Sequence, residues 1–151
     1  MKKVLYIDLD NVLVDFESAF PHVSKKVLTE YEDRLDEVPG IFSLMEPMPG
    51  AIETFSELAV KFDTYILSTS PWENPSAWSD KLIWVKKHLG SHAYKRLILS
   101  HHKELNMGDY LIDDRLKNGA DKFRGELIHF GSDKFPNWDA VVVYLSESSG
   151  C

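Results

Sequence analysis

Two carboxylates, Asp8 and Asp10, close the apolar run "VLYIDLD" near the start of the chain, with Leu9 between them as buried filler that sets their spacing. A segment built for burial makes an unpartnered carboxylate very costly, so the pair demands a proton, a cation or a metal. Other polar groups stand at the ends of later apolar runs. Ser68, Thr69 and Ser70 follow "YIL", Lys103 comes just beyond "RLILSHH", and Asp113 and Asp114 end "DYLIDD". Carboxylates with few histidines among them suit Mg²⁺, which prefers oxygen ligands. An aspartate can attack phosphorus and form an aspartyl-phosphate. A second carboxylate two residues on reaches the same pocket if the chain turns after the strand. There it can protonate the leaving oxygen and then deprotonate water. Hydroxyls, backbone N–H groups and a lysine can hold phosphoryl oxygens while charge redistributes.

Each signal alone is weak. Aspartates also start turns, most lysines are solvated, and an ion pair with Arg115 would account for the adjacent acids of "LIDDR". Their joint order, each at the end of an apolar run, is what points to phosphoryl transfer.

The elements that must position these residues follow from periodicity. The runs "KVLYID", "FDTYILS", "RLILS", "DYLID" and "ELIHF" are apolar without clean alternation, as in strands covered on both faces. Between them "GAIETFSELAVKF" places Ile52, Phe55, Leu58 and Ala59 on one helical face. "SAWSDKLIWVKKHLG" does the same with Trp78, Leu82, Val85 and Leu89, and Gly90 is its C-cap. "NWDAVVVYLSE" reads as a helix capped by Asn137, with a strand over "AVVVYL" as the alternative. The pattern predicts an α/β fold, a doubly wound, Rossmann-like parallel sheet of about five strands with helices on both faces. Ligands bind such sheets at the carboxyl ends of the strands, where the chemistry-bearing residues fall.

Residues 14–49 do not fit the alternation. They read as a helix over "DFESAFPHVSKKVLTEY", an acidic loop "EDRLDEVPG", and "IFSLMEPMPG". The expectation is a core of residues 1–13 and 50–147, a small helical cap at 14–49, and a frayed tail at 148–151. A cap this short leaves the pocket either permissive or completed by a second copy of the chain, as a homodimer.

A length of 151 residues fits one domain, and the net charge of −7 argues against nucleic-acid polymers and acidic membranes as partners. It leaves room for a small anionic substrate. The one cysteine, Cys151, excludes a disulfide framework and a cysteine zinc site. With no apolar stretch long enough to span a bilayer and no cleavable leader after "MKK", a reducing, cytoplasmic setting is expected.

Taken together, "IDLDNVLVDF", "LSTSP", the downstream lysine and "LIDD" resemble, in order and over nearly the whole chain, the four motifs of the haloacid dehalogenase-like (HAD) phosphohydrolases. Within that superfamily the likeness is greatest to the 5'(3')-deoxyribonucleotidases, through the "DNVL" start, the "EPMPGA" segment, "TSP" and "LIDDR". The resemblance implies Asp8 as nucleophile and Asp10 as general acid/base. It implies Thr69, Ser70 and Lys103 as phosphate binders. It further implies a Mg²⁺ site built from Asp8, Asp10 (through its backbone carbonyl), Asp113 and Asp114, and nucleoside monophosphates as substrates. Asn11-Val12 departs from the Gly-Thr common in the wider superfamily and fits the nucleotidase branch. A phosphatase for another small metabolite, such as a sugar phosphate, is the nearest alternative. A regulatory domain that binds phosphate or metal without turnover is the rival of a different class, and the intact Asp8/Asp10 pair speaks against it.

Around this set, Phe16, Phe20 and Phe42 either stack on a base or glue the cap to the core, and by position the resemblance implies Phe16 and Phe42 for the base. Trp72 reads as a pocket-edge residue and Trp78 as core. Lys81 and Lys86 read as a solvated helix face, with phosphate contact the lesser alternative. His101 and His102, being adjacent, point apart and do not make a metal site. His129 reads as a hydrogen-bonded core residue.

Overall fold

A five-stranded, all-parallel sheet runs through the computed structural model, which describes residues 1–148. Its strands are β1 (Val4–Ile7), β4 (Asp63–Ser68), β5 (Leu97–Leu99), β6 (Tyr110–Asp113) and β7 (Glu126–His129), in spatial order β5-β4-β1-β6-β7. All five lie within the apolar runs read from the sequence. Register is in phase across the centre, with Ile7 beside Ile66 on one side and beside Ile112 on the other. From β1 the chain builds outward through β4 to β5, then returns to the far side of β1 for β6 and β7. The carboxyl end of β1 is therefore the topological switch point, where a crevice opens in sheets of this kind.

Alternation along the strands separates two apolar layers. Leu5, Ile7, Ile66, Ile112 and Ile128 face helices α2 (Ala51–Lys61), α3 (Pro75–Leu89) and α4 (Trp138–Ser148), meeting Phe55, Leu58, Trp84, Val141 and Leu145. On the other face Tyr6, Leu67 and Leu111 pack on Ala120 and Phe123, beside the short 3-10 turn at Ala120–Lys122. The second face is thus covered by short turns where full helices were expected. The segment after Asn137 is a helix, and the Asn137 side chain accepts from the Ala140 N–H as an N-cap should. Gly90 ends α3 at φ 66°, the positive region that favours glycine. Of the residues read as a tail, Ser148 belongs to α4 and 149–151 lie outside the described residues, Cys151 with them.

The inward face of α3 differs from the expected one. Ala77, Lys81, Trp84, Val85 and Leu89 are buried, while Leu82 is exposed and Trp78 half-buried, its indole donating to the Pro71 carbonyl at 3.1 Å. The buried tryptophan of α3 is Trp84, not Trp78. One buried lysine rotates the stripe by about one residue relative to a reading that places every lysine in water.

The 14–49 segment starts and ends on a two-stranded antiparallel ribbon, β2 (Val14–Asp15) with β3 (Glu46–Pro47). Its expected single helix is broken into a 3-10 stretch, Phe16–His22, and helix α1, Lys25–Glu30. Pro21, which lacks an N–H, sits in the last turn of the 3-10 stretch just before the break, and Ser24 caps the new start. Three hydrogen-bonded points hold this segment to α3 and the residue preceding it. The Asn74 amide donates to the carbonyls of Asp36 (2.9 Å) and Val38 (3.1 Å), the Gly40 N–H to Ser76 Oγ (2.9 Å), and the Trp84 indole to the Met45 carbonyl (3.0 Å).

Candidate active site

The β1 ladder continues one residue past the strand, with the Asp8 N–H donating to the Ile112 carbonyl at 2.8 Å. This fixes Asp8 between the ends of β4 and β6. The chain then turns. The N–H groups of Leu13 and Val14 both donate to the Leu9 carbonyl at 2.9 Å, and Asn11 takes a left-handed conformation, φ 60°. Asparagine tolerates that region better than most side chains, which gives "DN" a local structural reason. The turn brings Asp8 and Asp10 to the wall of one cleft of about 610 Å³, while Leu9 is buried behind them.

Four strand ends meet there. Lys103, from the 3-10 turn Lys103–Leu105 after β5, is buried, with Nζ 3.1 Å from Asp8 Oδ1 and 2.5 Å from Asp113 Oδ2. Asp113 Oδ1 accepts the Arg115 N–H at 3.0 Å. Asp8, Asp113 and Asp114 each present an oxygen within 4.8 Å of the others. Burial, the Asp8 charge and a hydrogen bond to Asp8 push the Asp114 carboxyl up to about 7. Asp8 is also pushed up to about 7, first by burial, against the pull of Lys103 and with added repulsion from Asp113 and Asp10. Burial raises Asp113 as well, although Lys103 opposes it. For Lys103 the order reverses: burial would lower its pKa, but Asp8 and Asp113 raise it. One lysine among three crowded acids leaves negative charge unanswered, and a divalent cation with oxygen ligands fits that deficit.

Thr69 lines the cleft, and its Oγ1 donates to the Ser100 carbonyl at 2.7 Å. Ser70 is fully buried, its hydroxyl has no hydrogen-bond partner, and it is not part of the cleft wall. The two side chains therefore part, Thr69 to the cleft wall and Ser70 into the interior. Phe16 and Phe42 line the cleft and meet edge to face at 5.8 Å, while Phe20 packs on the outer edge of Phe16 at 5.9 Å. Trp72 is 76% exposed and lies outside the cleft wall, against Trp78 and His101. With Pro71 in the wall directly before it, Trp72 is turned outward to solvent. His101 reaches the cleft and His102 is exposed, so the two do part as expected. His129 is half-buried, with Nε2 3.0 Å from the Asp114 carbonyl.

Sequence reasoning missed two features. The loop Glu32–Asp36 forms part of the cleft wall, a placement its composition did not signal. Lys81 is not solvated; it is fully buried and bonded to Asp10, Ser68 and Thr69, whereas Lys86 is exposed as expected. The available signal was its place four residues after Ala77 and three before Trp84, on an apolar stripe.

A family profile described as 5' nucleotidase, deoxy (pyrimidine), cytosolic type C protein matches residues 30–138. A protein of Vibrio phage KVP40, provisionally named a 5'(3')-deoxyribonucleotidase, is 59% identical over 148 residues, covering 98% of this chain and 87% of that one. The human cytosolic-type 5'(3')-deoxyribonucleotidase is 29% identical over 170 residues, covering 90% and 77%. In fold, the chain is similar to a HAD-hydrolase of Bacillus subtilis solved with magnesium, at TM-score 0.60, 14% identity and 90% coverage of each chain. A haloacid dehalogenase-like hydrolase of Xanthomonas campestris superposes at TM-score 0.59 and 11% identity, covering 99% and 98%. Among the described residues no helix is long and apolar enough to cross a membrane. With its parallel sheet, its acid-lined switch point and these relatives, the chain belongs to the cytosolic type C deoxy-5'-nucleotidase family of the HAD superfamily, and is a phosphomonoester hydrolase.

Proposed function

We propose that this protein is a Mg²⁺-dependent 5'(3')-deoxyribonucleotidase, hydrolysing nucleoside monophosphates to nucleoside and phosphate through an aspartyl-phosphate on Asp8. The observation that carries the reading is the convergence of Asp8, Asp113, Asp114 and Lys103 at the switch point. The deoxyribonucleotide preference comes from the relatives' names.

In the first half-reaction Asp8 bonds to phosphorus, the bond from phosphorus to the nucleoside oxygen breaks, and that oxygen takes a proton from Asp10. In the second, water bonds to phosphorus and gives its proton to Asp10, and the Asp8–phosphorus bond breaks to release phosphate. Lys103 holds a phosphoryl oxygen with its third N–H, Thr69 does so once its hydroxyl turns from the Ser100 carbonyl into the cleft, and the Lys103 ammonium keeps Asp8 and Asp113 from repelling each other apart. The carboxylates of Asp8, Asp113 and Asp114 and the backbone carbonyl of Asp10 would hold Mg²⁺, which when bound neutralises charge on the phosphate and the acids. Segment 14–49 acts as the cap, its Phe16 and Phe42 offering apolar rings to the nucleoside.

A panel of nucleoside 5'- and 3'-monophosphates, sugar phosphates and an aryl phosphate, with and without Mg²⁺, tests this. Phosphate release is expected to require Mg²⁺ and to be fastest with deoxyribonucleoside monophosphates. Preference for sugar phosphates would remove the nucleotide assignment alone, and absence of any Mg²⁺-dependent release would remove the mechanism.

The raised carboxyls make a second test with a defined sign. Burial and mutual repulsion hold the Asp8 and Asp114 carboxyls above their unfolded range, towards about 7, so between that range and about pH 7 the folded pair keeps protons that the unfolded chain has released. The folded state therefore binds more protons in that window, and the metal-free protein loses stability as pH rises through it. Mg²⁺ takes the place of those protons, so its stabilising effect grows with pH. Thermal melts between about pH 5 and pH 8 should show the Mg²⁺-induced rise in Tm increasing with pH; a rise independent of pH would contradict the assigned site.

A further inference from the structure

Lys81 is the buried cation that the chemistry above leaves unused. Its side chain, on α3, is fully buried. Its ammonium donates to Asp10 Oδ2 at 3.0 Å, Ser68 Oγ at 2.9 Å and the Thr69 carbonyl at 2.7 Å. An ammonium has three N–H donors, so these acceptors exhaust it and leave none for a substrate phosphate. Asp10 is its one carboxylate partner within salt-bridge distance among the described residues, and the Phe42 ring covers it at 4.7 Å. The other Asp10 oxygen, Oδ1, is buried without a protein hydrogen-bond partner, in a residue that lines the cleft. Asp10 is thus pinned through Oδ2, while its side chain as a whole remains partly exposed in the cleft wall. Ser68 ends β4 and Asp10 follows β1, so the same lysine ties two neighbouring strand ends to one helix.

We propose that Lys81 is the positioning residue for the general acid/base. It fixes the Asp10 carboxylate through Oδ2 at the cleft wall, where the carboxyl gives a proton to the leaving nucleoside and later takes one from water. Phe42, brought by the 14–49 segment, covers the ammonium, so the same ring that offers a face to the nucleoside also secures the acid. The inference rests on the reading of Asp10 as acid/base given above.

Two substrates separate this role from general support of the fold. A deoxyribonucleoside monophosphate expels an alkoxide that needs a proton, whereas p-nitrophenyl phosphate expels a phenolate that does not. In Lys81→Met, kcat on the nucleotide should fall about 100-fold with KM changed by less than about threefold, the signature of a lost transition-state proton transfer. On the aryl ester the first turnover should stay fast, giving a burst of nitrophenolate stoichiometric with enzyme before slow hydrolysis. Loss of both first turnovers alike, or wild-type kcat on the nucleotide, would overturn the proposal. Ser68→Ala removes one acceptor of the lysine and should repeat the pattern in smaller degree; it decides the matter if Lys81→Met does not fold, and a wild-type profile would then overturn the role. Asp10→Asn is the control. A burst in Asp10→Asn but not in Lys81→Met defeats the lysine's role alone, while full nucleotide turnover by Asp10→Asn defeats the acid/base reading beneath it.

Discussion

Asp8→Asn should abolish turnover, lowering kcat by roughly 10⁴-fold or more, while leaving the fold intact. The amide keeps the shape of the carboxylate but is no nucleophile, and Lys103 keeps its partner in Asp113 at 2.5 Å. The change also removes one of three crowded acids, a buried group already pushed up to about 7 by desolvation and its neighbours. The metal-free variant should therefore melt no lower than the wild type at neutral pH, while its response to Mg²⁺ weakens. Steady-state kinetics at saturating Mg²⁺, with thermal melts on the same samples, check both halves. A variant that retained a near-normal rate would rule out Asp8 as the nucleophile.

Lys103→Met should damage stability as well as rate. Lys103 is 3% exposed and bridges Asp8 and Asp113, so its loss leaves two buried carboxylates facing each other without their cation. Breaking a buried ion pair from one side costs about 3–5 kcal/mol, and that loss is expected here for the metal-free protein above pH 7. Mg²⁺ should restore part of it, because the ion answers the same charge, and so should lower pH, because protonated acids no longer repel. Even when refolded by Mg²⁺, the variant should turn over about 10²–10³-fold more slowly, having lost a donor to the phosphoryl oxygens. Denaturant unfolding with and without Mg²⁺, paired with kcat, measures both effects. Unchanged metal-free stability would show that Lys103 does not serve as the counter-charge.

The sheet was legible because central parallel strands must be apolar on both faces, and β1, β4 and β6 each carry a short apolar run, VLYI, YIL and YLI. The acids were legible for the complementary reason: Asp8 and Asp113 end such runs, where a carboxylate is costly unless it has work to do. What did not show depended on tertiary partners. Lys81 looked like a surface lysine because nothing local reveals that Asp10, Ser68 and Thr69 converge on it, and placing it in water turned the expected face of α3 away from Ala77 and Trp84. Trp72 looked well placed after "TSP", yet Pro71 takes the wall and the indole faces outward. The break in the 14–49 helix was within reach, since Pro21 and the cap residue Ser24 both stand inside "DFESAFPHVSKKVLTEY".

The central claim is that phosphate passes through a covalent bond to Asp8, and trapping that bond tests it most directly. In Asp10→Asn an aryl phosphate can still phosphorylate the enzyme, because its leaving group needs no proton, while hydrolysis stalls for want of the base. Acid quench during the burst, followed by borohydride reduction of the acyl phosphate, should convert Asp8 to homoserine in the peptide that contains it. A burst with Asp8 unreduced, or reduction at another carboxylate, would contradict Asp8 as the nucleophile.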